Sequence, residues 1–202
     1  MKKVFSILLA ASLMLLGTQA FAQMSVNAGY LNSTMKNGNS STGAGGAYAG
    51  VSFNIPIAGG FAVAPGLYYS LLASKKTEFW GAADGAFKEH AINVPVYLNY
   101  GIDLARDTKV FVYGGPTLQY GLSSKVKHTA GSASVTEDFY QENGSIRYYL
   151  NPFNVYLGGG VGFQVAALQI TVGYDYGMLN LDKTGNSNLH RSNLKLGLGF
   201  VF

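Results

Sequence analysis

Beyond residue 22 the chain reads in twos. Between Gly46 and Ile57, Ala49, Val51, Phe53 and Ile55 alternate with Tyr48, Gly50, Ser52 and Asn54. Side chains of an extended strand point alternately to opposite faces, so this segment has one apolar face and one small or polar face. The same alternation marks Met24 to Met35, Phe61 to Ser74, Lys88 to Ile102, Lys109 to Ser123, Phe153 to Val165, Leu168 to Leu181 and His190 to Phe202, which predicts eight strands. Pro95 and Pro116 fall inside the fourth and fifth, where each removes a ladder donor, and bulges are expected to absorb them. The connections alternate in length: long from residues 36, 75, 124 and 182, short from residues 58, 103 and 166. Lys125 to Asn151 is the longest stretch without the period, and Ile146 to Leu150 within it is a candidate extension of a strand.

Two kinds of barrel fit an alternating chain. A soluble one turns its apolar face inward, whereas one in lipid turns it outward. Here the second face carries Asn27, Asn54, Asn93, Asn99, Gln119, Gln164, Gln169, Thr171, Asp175 and Lys195. An eight-stranded interior is just wide enough to be filled by side chains, and small polar residues suit it. Composition points the same way: 12% of residues are charged, against about 25% in a soluble domain. The expected fold is therefore all-β, an eight-stranded antiparallel up-and-down transmembrane β-barrel over residues 23–202. Barrels of this class keep short turns and both termini on the periplasmic side and long loops outside.

The first residues support export. Met1 Lys2 Lys3, the thirteen-residue run Val4 to Leu16, and Ala20 Phe21 Ala22 form a basic region, an apolar region and a cleavage site in order. The run is shorter than the roughly 20 residues a spanning helix needs, so residues 1–22 read as a cleaved signal peptide. Loss of Lys2 and Lys3 leaves twelve basic against ten acidic residues, a bias of +2 that gives no reason to expect nucleic acid as a partner. Cys is absent, which excludes disulfides and thiol lipidation.

The last strand, Asn193 Leu194 Lys195 Leu196 Gly197 Leu198 Gly199 Phe200 Val201 Phe202, sets Leu198, Phe200 and Phe202 on one face. A terminal Phe closing such a strand resembles the signal by which the barrel-assembly machinery recognises its clients. The segments Ile92 to Gly101 (INVPVYLNYG), Val110 to Gly121 (VFVYGGPTLQYG) and Ile170 to Met178 (ITVGYDYGM), with the C-terminal LKLGLGFVF, resemble the outer-membrane β-barrel domain family abundant in Bacteroidota, the porin-family or PorT-like proteins. The architecture is similar to OmpX and the transmembrane part of OmpA. The resemblance covers the chain well from about residue 88 onward. It implies a place in the cell outer membrane among lipid and lipopolysaccharide, and little about activity.

Candidate chemistry is sparse. Gly158 to Gly162 lacks the spacing and helix context of a phosphate loop and reads as room for close interior packing. His190 and Ser192 resemble the His-x-Ser pair of outer-membrane lipid A deacylases, but no acid follows Ser192, and Glu137 or Glu142 could serve only through loop folding. His90 and His128 lack metal-site spacing, so neither a metal nor a cofactor is expected. Lys75, Lys76, Lys88, Lys125 and Lys127 fall at the outer strand ends, where lipopolysaccharide phosphates would lie. Asp175 and Lys195 share the inner face of neighbouring strands; a hairpin folded about residue 186 sets Asp175 opposite Gly197, one diagonal step from Lys195, and the two should pair and help fill the lumen. Lys125 to Gly144 mixes both charges with Phe139 and Tyr140, a surface suited to a protein or glycan. The expected function is a non-enzymatic barrel with a filled interior and working loops; the alternatives are a narrow channel for small solutes and, less favoured, a lipid A hydrolase.

Overall fold

The computed structural model describes residues 23–38, 40–74, 85–130, 133–138, 140, 150–183 and 188–202. The expected signal peptide, Lys75 and Lys76 lie outside these residues, as do Phe139 and most of Ile146 to Leu150. Nine strands run among the described residues: β1 (Gln23–Asn37), β2 (Ser40–Ala58), β3 (Phe61–Ser74), β4 (Gly85–Ala105), β5 (Thr108–Ala130), β6 (Ala133–Asp138), β7 (Phe153–Val165), β8 (Leu168–Gly177) and β9 (Leu189–Val201). Eight of them close a barrel in which each pairs antiparallel with its neighbours and β9 returns to β1. The ninth, β6, lies beside the upper part of β5 only.

Closure fixes the geometry. From Asn27 the paired residues run through Gly50, Tyr68, Asn93, Gln119 and Asn154. Carried on through the registers of β8 and β9, the path meets β1 again at Asn37, ten residues above its start. A shear of that size on eight strands tilts them by about 40° and draws the interior down to side-chain width. The turns at the terminal end are tight: Gly59 and Gly60 both take positive φ, at 60° and 85°, as a two-residue turn between twisted strands requires.

The outer wall is apolar and banded. Leu67, Leu98, Val112, Val161, Ile170, Leu196 and Leu198 are all exposed. Following the shear, Phe61, Tyr100, Phe163 and Phe200 form one aromatic belt, and Tyr30, Tyr69, Tyr120, Phe153, Tyr174 and Tyr176 form a second toward the loop end. The two belts stand about 20 Å apart along the axis, close to the apolar band height of a membrane barrel.

Three features depart from the pattern read in the sequence. Bulges do not absorb Pro95 and Pro116. Pro95 pairs with Thr117 and Leu98 with Gly114 in one register, so the β4–β5 ladder skips the intervening residues and resumes unshifted. Gly115 permits this, because a Cβ there would strike the Val96 carbonyl. The shifts in that ladder fall instead at His90/Ala91 and, near the turn, at Asp103/Ala105. Finally, Lys125 to Gly144 begins as structure: β5 continues to Ala130 and turns back as β6, with Lys125 opposite both Lys88 and Asp138.

Leu198 is 66% exposed on the outer wall between the two belts. Replacing it with Arg should destabilise the folded barrel by about 2–4 kcal/mol, the cost of a cation near the bilayer midplane. Urea titration of folding in lipid vesicles measures this, and an unchanged midpoint would contradict the membrane band.

Candidate functional site: a capped lumen beneath a basic rim

Parity along each strand decides which residues enter the lumen. At the loop end the inner faces converge on an apolar cap of Leu31, Met35, Ala44, Leu72, Phe87, Leu150, Leu181 and Leu189, all buried. Beneath it Arg191 of β9 meets Glu89 of β4 in a two-pronged ion pair: Nη2 donates to Oε2 at 2.8 Å, and Nη1 donates to Oε1. The two side chains are 2% and 1% exposed. Taking both charges out of water is costly, and the forked geometry is what recovers it.

A strap from the third long connection completes the closure. Tyr140 packs against the cap, and its ring occupies the space a side chain at Gly121 would need. The strap is held by Asp138, whose Oδ1 accepts from the Ser124 amide at 3.2 Å and the Tyr140 amide at 3.1 Å, while Oδ2 accepts from Ser123 Oγ at 3.3 Å. Burial, and then the nearby Glu89 carboxylate, raise the Tyr140 phenol above its ordinary pKa, so it stays protonated over the acid pair.

Halfway down, Lys195 Nζ lies 2.5 Å from Asp175 Oδ2 and donates to the Tyr97 hydroxyl at 2.9 Å. The pair arises from a register different from the expected one: Asp175 stands opposite Asn193 and Lys195 opposite Gly173. β8 ends at Gly177, where the Met178 amide still bonds the Val155 carbonyl of β7, and across the connection Leu181 bonds the carbonyl of Leu189. The glycine run of β7 makes room for these groups. A Cβ at Gly158 would meet Asp175, at Gly160 the Tyr113 hydroxyl and at Gly162 the Phe111 ring. A cavity of about 110 Å³ remains among Asn27, Tyr68, Asn99, Tyr113, Gln169 and Asn193. A second of about 60 Å³ follows toward the terminal end, between Ser25, Asn54, Lys109 and Gln164.

On the outside, above the second aromatic belt, the wall is basic. Lys88 and Lys125 are exposed directly opposite one another on β4 and β5. The shift at His90/Ala91 produces this: it inverts the parity of upper β5, so Ser124 is buried and Lys125 faces out. Among the described residues neither lysine has an ion partner. Lys127 stands opposite Ala86 in the ladder, its side chain outside the described set. His90 lies beside this pair, its Nδ1 hydrogen-bonded to the Tyr69 hydroxyl. At the β1–β9 seam, Lys36 pairs with His190, whose ring stacks on Tyr176 and whose Nδ1 lies 3.2 Å from the Gly177 carbonyl. That carbonyl holds the His190 ring, while Ser192 is buried; Glu142 and the side chain of Glu137 lie outside the described set.

Sequence reading passed over Arg191 and Glu89, although parity marks both as inward: Arg191 falls in step with Asn193 and Lys195, and Glu89 with Asn93 and Tyr97. Arg191→Met alone leaves a buried carboxylate unpaired and should destabilise the barrel by about 3–5 kcal/mol. Adding Glu89→Gln should recover most of that loss, and equilibrium unfolding of the single and double variants measures the difference.

Comparison with curated protein sequences finds no match. Solved structures do share the architecture. Ail, the attachment invasion locus protein of Yersinia pestis, is 14% identical, covers 90% of this chain and 99% of its own, and superposes with a TM-score of 0.52. Its complex with the heparin analogue sucrose octasulfate gives 0.54 at 12% identity, over 90% and 99% of the two chains. Neisserial surface protein A is 14% identical and gives 0.51 over 89% of this chain and 97% of its own. At such identities the likeness is one of fold. The outer membrane protein beta-barrel domain family matches residues 17–183, and with the closed, apolar-walled barrel described above, the chain belongs to that family.

Proposed function

We propose that this protein is a non-enzymatic outer-membrane barrel, closed to solutes, that works through the outer rim of its wall by binding phosphate groups of lipopolysaccharide. The observation that carries the reading is the opposition of Lys88 and Lys125 above the aromatic belt, without an ion partner among the described residues. Like charges placed directly across a strand pair repel, and an anion between them converts that cost into two favourable contacts. Lys75, Lys76 and Lys127 are the further lysines of this reading. With short turns inside and long connections outside, the rim lies at the level of the outer-leaflet headgroups. Ail, which shares the fold, has been solved with a polyanionic sugar. Export by residues 1–22, delivery to the assembly machinery through Leu198, Phe200 and Phe202, and contact of the strap connection with a surface protein or glycan belong to the same reading.

The closed lumen argues against the channel alternative. The cap, the Arg191–Glu89 pair and the Lys195–Asp175 pair lie in series across the bore. Pure protein in a planar bilayer should show no steady conductance, and stable currents in the nanosiemens range would overturn the closed reading. Lys88→Gln with Lys125→Gln should weaken binding of bis-phosphorylated lipid A about tenfold, the loss of roughly one charge-assisted contact. Equal affinity in a detergent-exchange binding assay would remove the rim from the proposal.

A further inference from the structure

We infer that a lipid phosphate bridges Lys36 and His190 and so staples the first strand of the barrel to the last. The inference rests on the membrane orientation proposed above, and concerns a different site, three strands from Lys88 around the wall. Lys36 and His190 are cross-strand partners at the top of the β1–β9 ladder, one rung below its last pair, Asn37 and Leu189. Lys36 is exposed, and among the described residues it has no ion partner. The His190 ring stands over Tyr176 of the second aromatic belt, the centroids 5.9 Å apart and the planes within 16°.

The construction repeats that at β4. There a belt tyrosine, Tyr69, bonds Nδ1 of His90, with Lys88 two residues farther up the same face. In both places a histidine lies against a belt tyrosine and is held at Nδ1, by the tyrosine hydroxyl at β4 and by the Gly177 carbonyl at the seam, and a lysine stands just above. At the seam the Nδ1 contact is a carbonyl, an acceptor only, so Nδ1 carries the hydrogen and Nε2 is left as the ring's second polar atom. Among the described residues the groups set beside the imidazole are Lys36, its partner on β1, with Tyr176 on β8 and the Gly177 carbonyl. A phosphate accepting from the Lys36 ammonium and from a protonated Nε2 has both charge and geometry satisfied. The ligand class is the phosphate monoester of an anionic glycolipid headgroup, since the Tyr176 ring beside it belongs to the belt at headgroup depth.

The consequence is mechanical. Closure of an up-and-down barrel rests on the pairing of its chain ends, and the top of a ladder is where pairing frays. An anion held by one residue of each strand stabilises the paired state only.

The test uses the full barrel in nanodiscs of three kinds: phosphatidylcholine with bis-phosphorylated lipid A, phosphatidylcholine with dephosphorylated lipid A, and the latter with inorganic phosphate in the buffer. Amide exchange at Met35, Lys36 and Asn37 should slow at least about tenfold in the first relative to the second. Lys36→Gln and His190→Gln should each abolish the effect. Lys88→Gln with Lys125→Gln should leave it intact, so failure at the seam and failure of the rim reading are distinguishable. Equal exchange in the two lipids, or a difference that survives Lys36→Gln, would overturn the inference. Protection by inorganic phosphate to the same degree would overturn its assignment to a lipid.

Discussion

The pairing of β1 with β9 is the constraint from which the rest follows. In hydrocarbon every backbone N–H and C=O must find a partner within the protein, so a sheet is admissible only if it has no edge. The ladder from Ser25 opposite Val201 to Asn37 opposite Leu189 removes that edge. Closing it at a shear of ten sets the strand tilt, and the tilt sets how much space the interior leaves. It also fixes, for every residue of every strand, whether the side chain meets lipid or lumen. A one-residue slip at the seam would turn Leu196 and Leu198 inward and Lys195 outward, so the register is held by hydrophobic burial in lipid as firmly as by hydrogen bonds.

Given that interior, glycine and tyrosine become complementary choices. Phe111 and Tyr113 lie over their direct cross-strand partners Gly162 and Gly160 on β7, and the Tyr113 hydroxyl reaches on to Gly173 on β8. Large side chains beside glycines of the neighbouring strands fill a narrow cylinder without distorting the ladder. In the middle and upper bore charge enters as matched pairs. Glu89 with Arg191 and Asp175 with Lys195 each join two strands, and each pair brings tyrosine hydroxyls or ring faces with it. These pairs contribute less to stability than an apolar filling of the same shape would, and the Glu89–Arg191 pair ties two distant strands, β4 and β9, into a specific arrangement. Glu89 and Arg191 stand 102 residues apart in sequence.

What the sequence disclosed follows from which interactions are local. Strand parity depends on nearest neighbours, so β3 from Phe61 to Ser74 and β7 from Phe153 to Val165 fall where alternation ends. The polar lumen was legible for the same reason, with Asn27, Gln169, Asp175 and Lys195 in place. Register was not, because it is decided by how a connection folds. Asp175 lies opposite Asn193 and not Gly197, in a connection where Leu181 bonds the Leu189 carbonyl. The strap was illegible too. Asp138 and Tyr140 look like loop composition until Asp138 is seen to cap the Ser124 amide and Tyr140 to rest on Gly121. The shift at His90/Ala91 leaves no local signature, yet it decides the side on which Lys125 emerges.

That shift shows how one chemistry is given two uses. Lysine at Lys195 faces the lumen, where low dielectric makes an unpaired ammonium expensive, and it lies against both Asp175 and Tyr97. Lysine at Lys36, Lys88 and Lys125 faces out above the belt, where headgroups and water solvate it and no internal carboxylate is required. The barrel could have matched the outer lysines with acids of its own, since Asp138 stands directly opposite Lys125 in the β5–β6 ladder. Its carboxylate instead turns to Ser123, Ser124 and the Tyr140 amide, and holds the strap. Among the described residues Asp138 is thus committed to the strap, and Lys36, Lys88 and Lys125 are left without a carboxylate partner.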